Sequence, residues 1–184
     1  MRVPKWVLVA GITTAVTLGA GTSWADSGGN GGGKVVRMDD ECDPKTFNAA
    51  LDPKAEAPSP PCLGGGDVTF GEFAAALNLQ VGGHHDWKFE DSSLDMKSGG
   101  TLHVVNNGGE THSFTEVVNF GMGIVPPLNS AVPETGPAIP VADLNPNFVD
   151  SGLSADVKGL TDGVHRFQCL IHPWMRSTVT VGGN

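Results

Sequence analysis

Near the C-terminus, two alternating β-prone runs, Val164-His-Arg-Phe-Gln168 and Ser177-Thr-Val-Thr-Val181, are separated only by Cys169-Leu-Ile-His-Pro-Trp-Met-Arg176. Cys169, His172 and Met175 fall at three-residue intervals, which would also suit one face of a helix with the Cys and Met as ordinary core residues. Pro173 opposes that reading, because inside a helix it would lose its hydrogen bond to Cys169 and clash there. The stretch therefore reads as strand, tight loop, strand, a unit that must sit in a sheet.

The loop carries a thiol, an imidazole and a thioether. With a second imidazole, these are the donors of a blue-copper electron-transfer centre: a thiolate, two imidazoles and a long axial Met. His112, in Gly108-Gly-Glu-Thr-His112-Ser-Phe114, is the best candidate, since it follows a turn signal and precedes an alternating run. The candidate metal ligands are thus His112, Cys169, His172 and Met175. Cys-x2-His also fits half of a zinc site, which would require another Cys or His at comparable spacing. That reading stays open from the residues alone.

The segment Cys-x2-His-Pro-aromatic-Met-Arg resembles the copper-binding loop of cupredoxins, in the form found in amicyanin and plastocyanin. Gly99-Gly-Thr-Leu-His-Val-Val-Asn-Asn-Gly-Gly-Glu-Thr-His112-Ser-Phe114 resembles the cupredoxin segment that delivers the first His ligand. The resemblance runs over 81–182 and is thin between Phe120 and Asp156. It implies an all-β, Greek-key β-sandwich of the cupredoxin type and one type 1 copper per chain. Ser113 stands where the family often has an Asn that steadies the Cys loop, a role that Ser can fill less extensively. The family also implies an exposed His172 edge within an apolar docking patch that includes Pro173 and Trp174. A redox partner protein is expected to dock there.

Composition agrees with a turn-rich β chain: 26 Gly and 13 Pro stand among 184 residues. Residues 1–25 read as a secretory signal, with Arg2 and Lys5 before an apolar run and Ser23-Trp-Ala25 as the cleavage site. Retention as a membrane anchor is the alternative, weakened by the short, Gly- and Thr-diluted run. Residues 26–36 form a Gly-rich linker, 37–80 an N-terminal appendage, and 81–184 the cupredoxin domain. Within the appendage, Cys42 and Cys62 flank a Pro-rich loop, and outside the reducing cytosol they most simply form a disulfide. Thr69-Phe-Gly-Glu72 is a capping box opening a short helix with Phe70, Phe73, Ala74 and Leu77 on one face.

Val81–Phe89 is expected to be the first strand, with Trp87 and Phe89 inward. On a strand His84 and His85 would face opposite ways, so at most one could join a given site, and both are read as surface residues. Thr101–Asn106 is the next strand, with Leu102 and Val104 on the core face and His103 away from it. His165 is expected to be a hydrogen-bonded core residue. Residues 121–148, rich in Pro and Asn, read as a long excursion near the site; Met122 there is a weaker axial candidate than Met175.

Removing residues 1–25 takes the formal charge from −9 to −11, because Arg2 and Lys5 leave and every acid remains. Such acidity excludes nucleic acid and favours basic protein partners. The expected function is an exported blue copper protein that carries single electrons between redox partners. It would be periplasmic, or extracellular or cell-surface where there is no outer membrane. It is expected to be monomeric, with no membrane span once the signal is cleaved. A copper carrier or store without a redox partner is the alternative. Enzyme activity is not expected: Gln168 and Leu170 flank Cys169 where multicopper oxidases place His, and there is no His-x-His pair.

Overall fold

A computed structural model describes residues 33–54, 56, 60–141 and 148–182. Two four-stranded sheets face each other across one core. The first runs in the order β2 (Lys88–Phe89), β1 (Lys34–Asp39), β4 (Leu102–Asn106), β8 (Ser154–Val157). The second runs β3 (Ser93–Met96), β10 (Arg176–Val181), β9 (Gly163–Gln168), β6 (Thr115–Val117). A small third pairing joins β5 (His112–Ser113) to β7 (Phe148–Val149). The expected all-β sandwich is what forms, with two short helices and a Cys42–Cys62 disulfide at one end.

Alternation explains the sheets. Leu102, Val104 and Asn106 are buried on β4 while His103 and Val105 are partly exposed, as a period of two requires. On β10 the same rule buries Ser177, Val179 and Val181. Between the layers, Phe114 stacks on Phe167 with ring centroids 4.3 Å apart, and Phe89 meets Phe114 edge-on at 5.1 Å. Val36, Met38, Leu102 and Val104 face these rings from the first sheet in one continuous core.

Two expectations are corrected. The first strand is β1, which lies parallel to β4 with Val36 opposite Val104 and Met38 opposite Asn106. Residues 34–39 are thus a central strand of the sandwich and cross the linker–appendage boundary placed at 36. They bury only Val36 and Met38, too few alternating positions to stand out beside a Gly run. Val81–Trp87 is not strand: Gly82 and Gly83 have φ of +80° and +93°, which fold the chain into turns until Lys88. Trp87 and Phe89 are nonetheless buried as expected.

The helices also follow from their caps. Asp43 accepts from the Lys45 and Thr46 backbone N–H groups and Pro44 occupies the first turn, which starts α1 (Pro44–Leu51). The expected capping box between Thr69 and Glu72 opens α2 (Phe70–Ala75). Phe47 of α1 and Phe73 of α2 pack on Trp87 at 5.6 and 4.7 Å, fastening both helices to the end of the sandwich where the Cys169 loop lies.

On the same face of β9 as buried Phe167, and opposite buried Val179 of β10, His165 has Nδ1 2.6 Å from Glu116 Oε1 and Nε2 2.7 Å from the Thr161 carbonyl. Burial opposes the imidazolium, but these two bonds outweigh it and raise the pKa above the ordinary value. A raised pKa adds stability that is complete below the unfolded value of ~6.5 and is lost as pH rises through the folded value. Denaturant titrations across this range should show the advantage of the wild type over His165→Gln shrinking as pH rises. An advantage that stays constant with pH would mean that the pair contributes no charge-linked stability.

Candidate metal centre

Cys169 ends β9, and the chain then makes a tight loop before β10. The Cys169 N–H donates to the Met175 carbonyl at 3.0 Å, and the Met175 N–H donates to the His172 carbonyl at 2.9 Å. The loop is therefore closed by its own backbone. His112 arrives from β5 on the facing side. His112 Nδ1 and His172 Nδ1 stand 3.2 Å apart, and each is 3.9 Å from Cys169 Sγ. Cys169 and His112 are 0 % exposed and His172 is 2 % exposed.

The protein fixes the direction of both rings. His112 Nε2 lies 2.8 Å from Asp40 Oδ2, so the outer nitrogen donates and Nδ1 is turned inward, toward Cys169 and His172. Asp40 is buried as well, and accepts from the backbone N–H groups of Cys42, Gly109 and Glu110 at 3.2, 3.0 and 3.0 Å. Burial works against its charge, but the bond from His112 and those N–H groups hold its pKa below the ordinary carboxylate value. His172 Nε2 faces Glu110 Oε2 at 3.4 Å, and the same oxygen accepts the Trp87 indole N–H at 2.6 Å. Each imidazole is thus backed by a carboxylate on the side away from the thiol, an arrangement that orients metal-binding His rings.

The sulfur has its own partners. Backbone N–H groups of Ser113 and His172 both point at Cys169 Sγ from 3.4 Å. Burial alone would raise the thiol pKa, but hydrogen bonds with His112 and His172 bring it well below the ordinary value. For His172, burial favours the neutral ring, while bonding to Cys169 and Glu110 pushes its pKa up to about 10. Ser113 Oγ accepts the Leu170 N–H at 2.8 Å, so Ser provides the steadying bond to the loop after Cys169.

These observations test whether the donors fit a metal ion. Two nitrogens 3.2 Å apart cannot both carry a proton pointing at the other, and each reaches the sulfur only at 3.9 Å, the long end for a hydrogen bond to sulfur. Metal–nitrogen and metal–sulfur bonds of about 2.0–2.3 Å would span such separations from one point between them. Met175 is 1 % exposed and belongs to the same loop.

No family model matches the chain, and no curated protein does. Its matches are among solved structures. The chain is similar to cupredoxins. A purple cupredoxin from Nitrosopumilus maritimus shares 18 % identity, with 54 % of this chain and 86 % of that chain covered and a TM-score of 0.41. A reduced Cu(I) amicyanin with one substitution shares 21 %, covering 51 % of this chain and 72 % of that chain at a TM-score of 0.36. Another reduced amicyanin variant shares 22 %, with the same coverages and a TM-score of 0.35.

The expected docking patch is not formed as such. His172 has no exposed edge, because Phe73 of α2 meets its ring edge-on at 6.1 Å and Trp174 lies 5.5 Å away. Pro173 is buried, and Trp174 is half-buried over Gly83. A Cβ on Gly83 would lie 2.2 Å from the indole, so only glycine leaves room for this cover. The excursion does lie against the loop: the Ile124 N–H donates to the Leu170 carbonyl at 2.7 Å, and Gly123 sits close to that carbonyl and to Pro173. His103 lies away from the core face of β4, paired with Asp156 at 2.7 Å.

Asp40, Glu110, Trp87 and Phe73 are the functional surroundings that the sequence did not reveal. Asp40 stands 72 positions from His112, and no local pattern links them. Glu110 offered the one readable signal, an acid two residues before the candidate ligand.

Proposed function

We propose that the chain holds one copper ion between His112, Cys169 and His172, with Met175 as the weak axial donor, and carries single electrons between redox partners. The convergence of two imidazole Nδ1 atoms and one sulfur, all buried, carries this reading. A thiolate with two imidazoles suits copper in both oxidation states, whereas a closed zinc site would want a fourth strong donor. Copper bound there supplies a reversible one-electron couple. The protein contributes rings and a sulfur already fixed in place, so little must move when the charge changes.

Burial favours electron transport over metal hand-off, since a metal to be passed on needs a donor that a partner can reach. The electron leaves through the cover of Phe73 and Trp174, and the acidic chain suits a basic partner, with association faster at low salt. Export is proposed from residues 1–25, which lie outside the described residues, and the Cys42–Cys62 bridge suits an oxidising compartment. Among the described residues no helix is long and apolar enough to cross a membrane.

Titration of the metal-free protein with Cu(II) tests the assignment. One equivalent should develop an intense thiolate-to-copper absorption band, and Cys169→Ser should abolish it. A band that survives in the variant, or a wild type that takes zinc and never colours with copper, would defeat the assignment.

A further inference from the structure

The geometry points to a second metal site, formed by His84, His85 and Asp86 and suited to a borderline divalent ion such as Zn2+ or Cu2+. The turn that replaces the expected strand creates it. The Trp87 N–H donates to the His84 carbonyl at 3.1 Å, which closes a tight turn over 84–87 and swings the two neighbouring rings to the same side. The His84 and His85 rings then lie nearly parallel, 4.9 Å apart. One ligand atom from each ring and one Asp86 oxygen all come within 4.8 Å of one another.

The spacing distinguishes this group from an ordinary ion pair. Apart from the His172–Glu110 contact at 3.4 Å beside the buried centre, three His–carboxylate pairs close to 2.6–2.8 Å, at His165–Glu116, His103–Asp156 and His112–Asp40. Asp86 instead stands 3.5 Å from His84 Nδ1 and 3.4 Å from His85 Nε2, beyond the usual 2.7–2.9 Å of a charge-assisted bond. The Asp86 backbone N–H reaches His84 Nδ1 only at 3.4 Å. The three side chains therefore face one another in long contacts, with the Asp86 N–H donating to His84 Nδ1.

Two imidazoles and one carboxylate form a mixed nitrogen–oxygen set that suits zinc, copper or nickel in the divalent state. Access is one-sided: the His84 side chain is 14 % exposed, Asp86 30 % and His85 86 %. His84 is held from behind by Trp87, edge-on at 5.3 Å, so one ligand is already positioned. Trp87 in turn donates to Glu110, the carboxylate that backs His172, so the outer site joins the buried centre through a single side chain.

Isothermal calorimetry of the full chain, loaded first with one equivalent of copper and then titrated with Zn(II), tests this. One further zinc per chain is expected, with the thiolate absorption band unchanged. His84→Gln, His85→Gln and Asp86→Asn should each weaken zinc binding about tenfold or more. His85 is exposed, so its substitution carries no folding cost. Absence of zinc binding, zinc that bleaches the band by displacing copper, or weakening by His85→Gln alone would each overturn the proposal. A chain that fails to take up the first copper would refute the buried-centre assignment, yet its zinc count and dependence on His84 would still decide this one.

Discussion

Asp40→Asn is expected to weaken copper binding by about 10- to 100-fold, the range found when a carboxylate behind a ligating His is removed. The substitution keeps size and shape but not acceptor capacity. Oδ1 accepts from the Cys42 and Gly109 N–H groups, and Oδ2 accepts from the Glu110 N–H and from His112. Whichever way an Asn amide turns, its NH2 group faces two donors. Each buried group left unmatched costs about 1–3 kcal/mol, so the metal-free fold should also lose roughly 2–6 kcal/mol. Chelator competition on the folded variant, with denaturant unfolding of the metal-free form, separates the two effects. Unchanged copper affinity in a variant that is merely less stable would show Asp40 to be a structural acceptor with no hold on His112.

Phe73→Ala should produce the other large effect. Phe73 is 4 % exposed and packs against Phe47, Trp87, Trp174 and His172 at 5.4, 4.7, 6.0 and 6.1 Å. Removing a buried ring of this kind costs about 3–5 kcal/mol, through lost transfer energy and the cavity left behind. It would also uncover the outer edge of His172. Stopped-flow reduction by a small inorganic reagent should therefore be faster in Phe73→Ala than in the wild type, with Phe73→Leu close to wild type because it refills the space. Equal rates in all three proteins would show that α2 anchors the fold without screening the metal.

The loop, its Cys-His-Met spacing and the disulfide were legible because each depends on chemistry written locally. Cys169, His172 and Met175 sit within one turn of chain, Pro173 excludes a helix, and Thr69 with Glu72 announces α2. What escaped is non-local or depends on backbone sign. β1 earns its place by pairing with β4, nearly seventy positions away, and its own sequence buries only Val36 and Met38. Asp40 looks like any surface acid until the Gly108–Glu110 turn brings backbone donors to it. His84 and His85 looked divergent because Trp87 and Phe89 suggested a strand, whereas Gly82 and Gly83 at positive φ turn the chain first. The family's exposed His edge failed for a similar reason: the cover comes from α2, in a stretch that the resemblance does not include.

The Cys42–Cys62 bridge bears on the order in which the molecule is assembled. The chain has three cysteines, and two of the three possible pairings would consume Cys169, the sulfur proposed as the metal ligand. Cys42 and Cys62 are 20 positions apart, whereas either pairing with Cys169 closes a loop of about 100 residues or more. The difference in closure entropy favours the native bridge by about 1.5 kcal/mol, roughly tenfold. The native bridge can therefore form from the N-terminal part of the chain before the C-terminal loop has folded. Once formed, it places Cys42 Sγ where a Cβ on Gly109 would come within 2.5 Å, holding the chain beside Asp40 against the turn that supplies its N–H donors. Under the proposed copper reading, the bridge is expected to form before metallation, and a chain kept in a reducing compartment would meet the ion with Asp40 not yet held and three thiols competing for it.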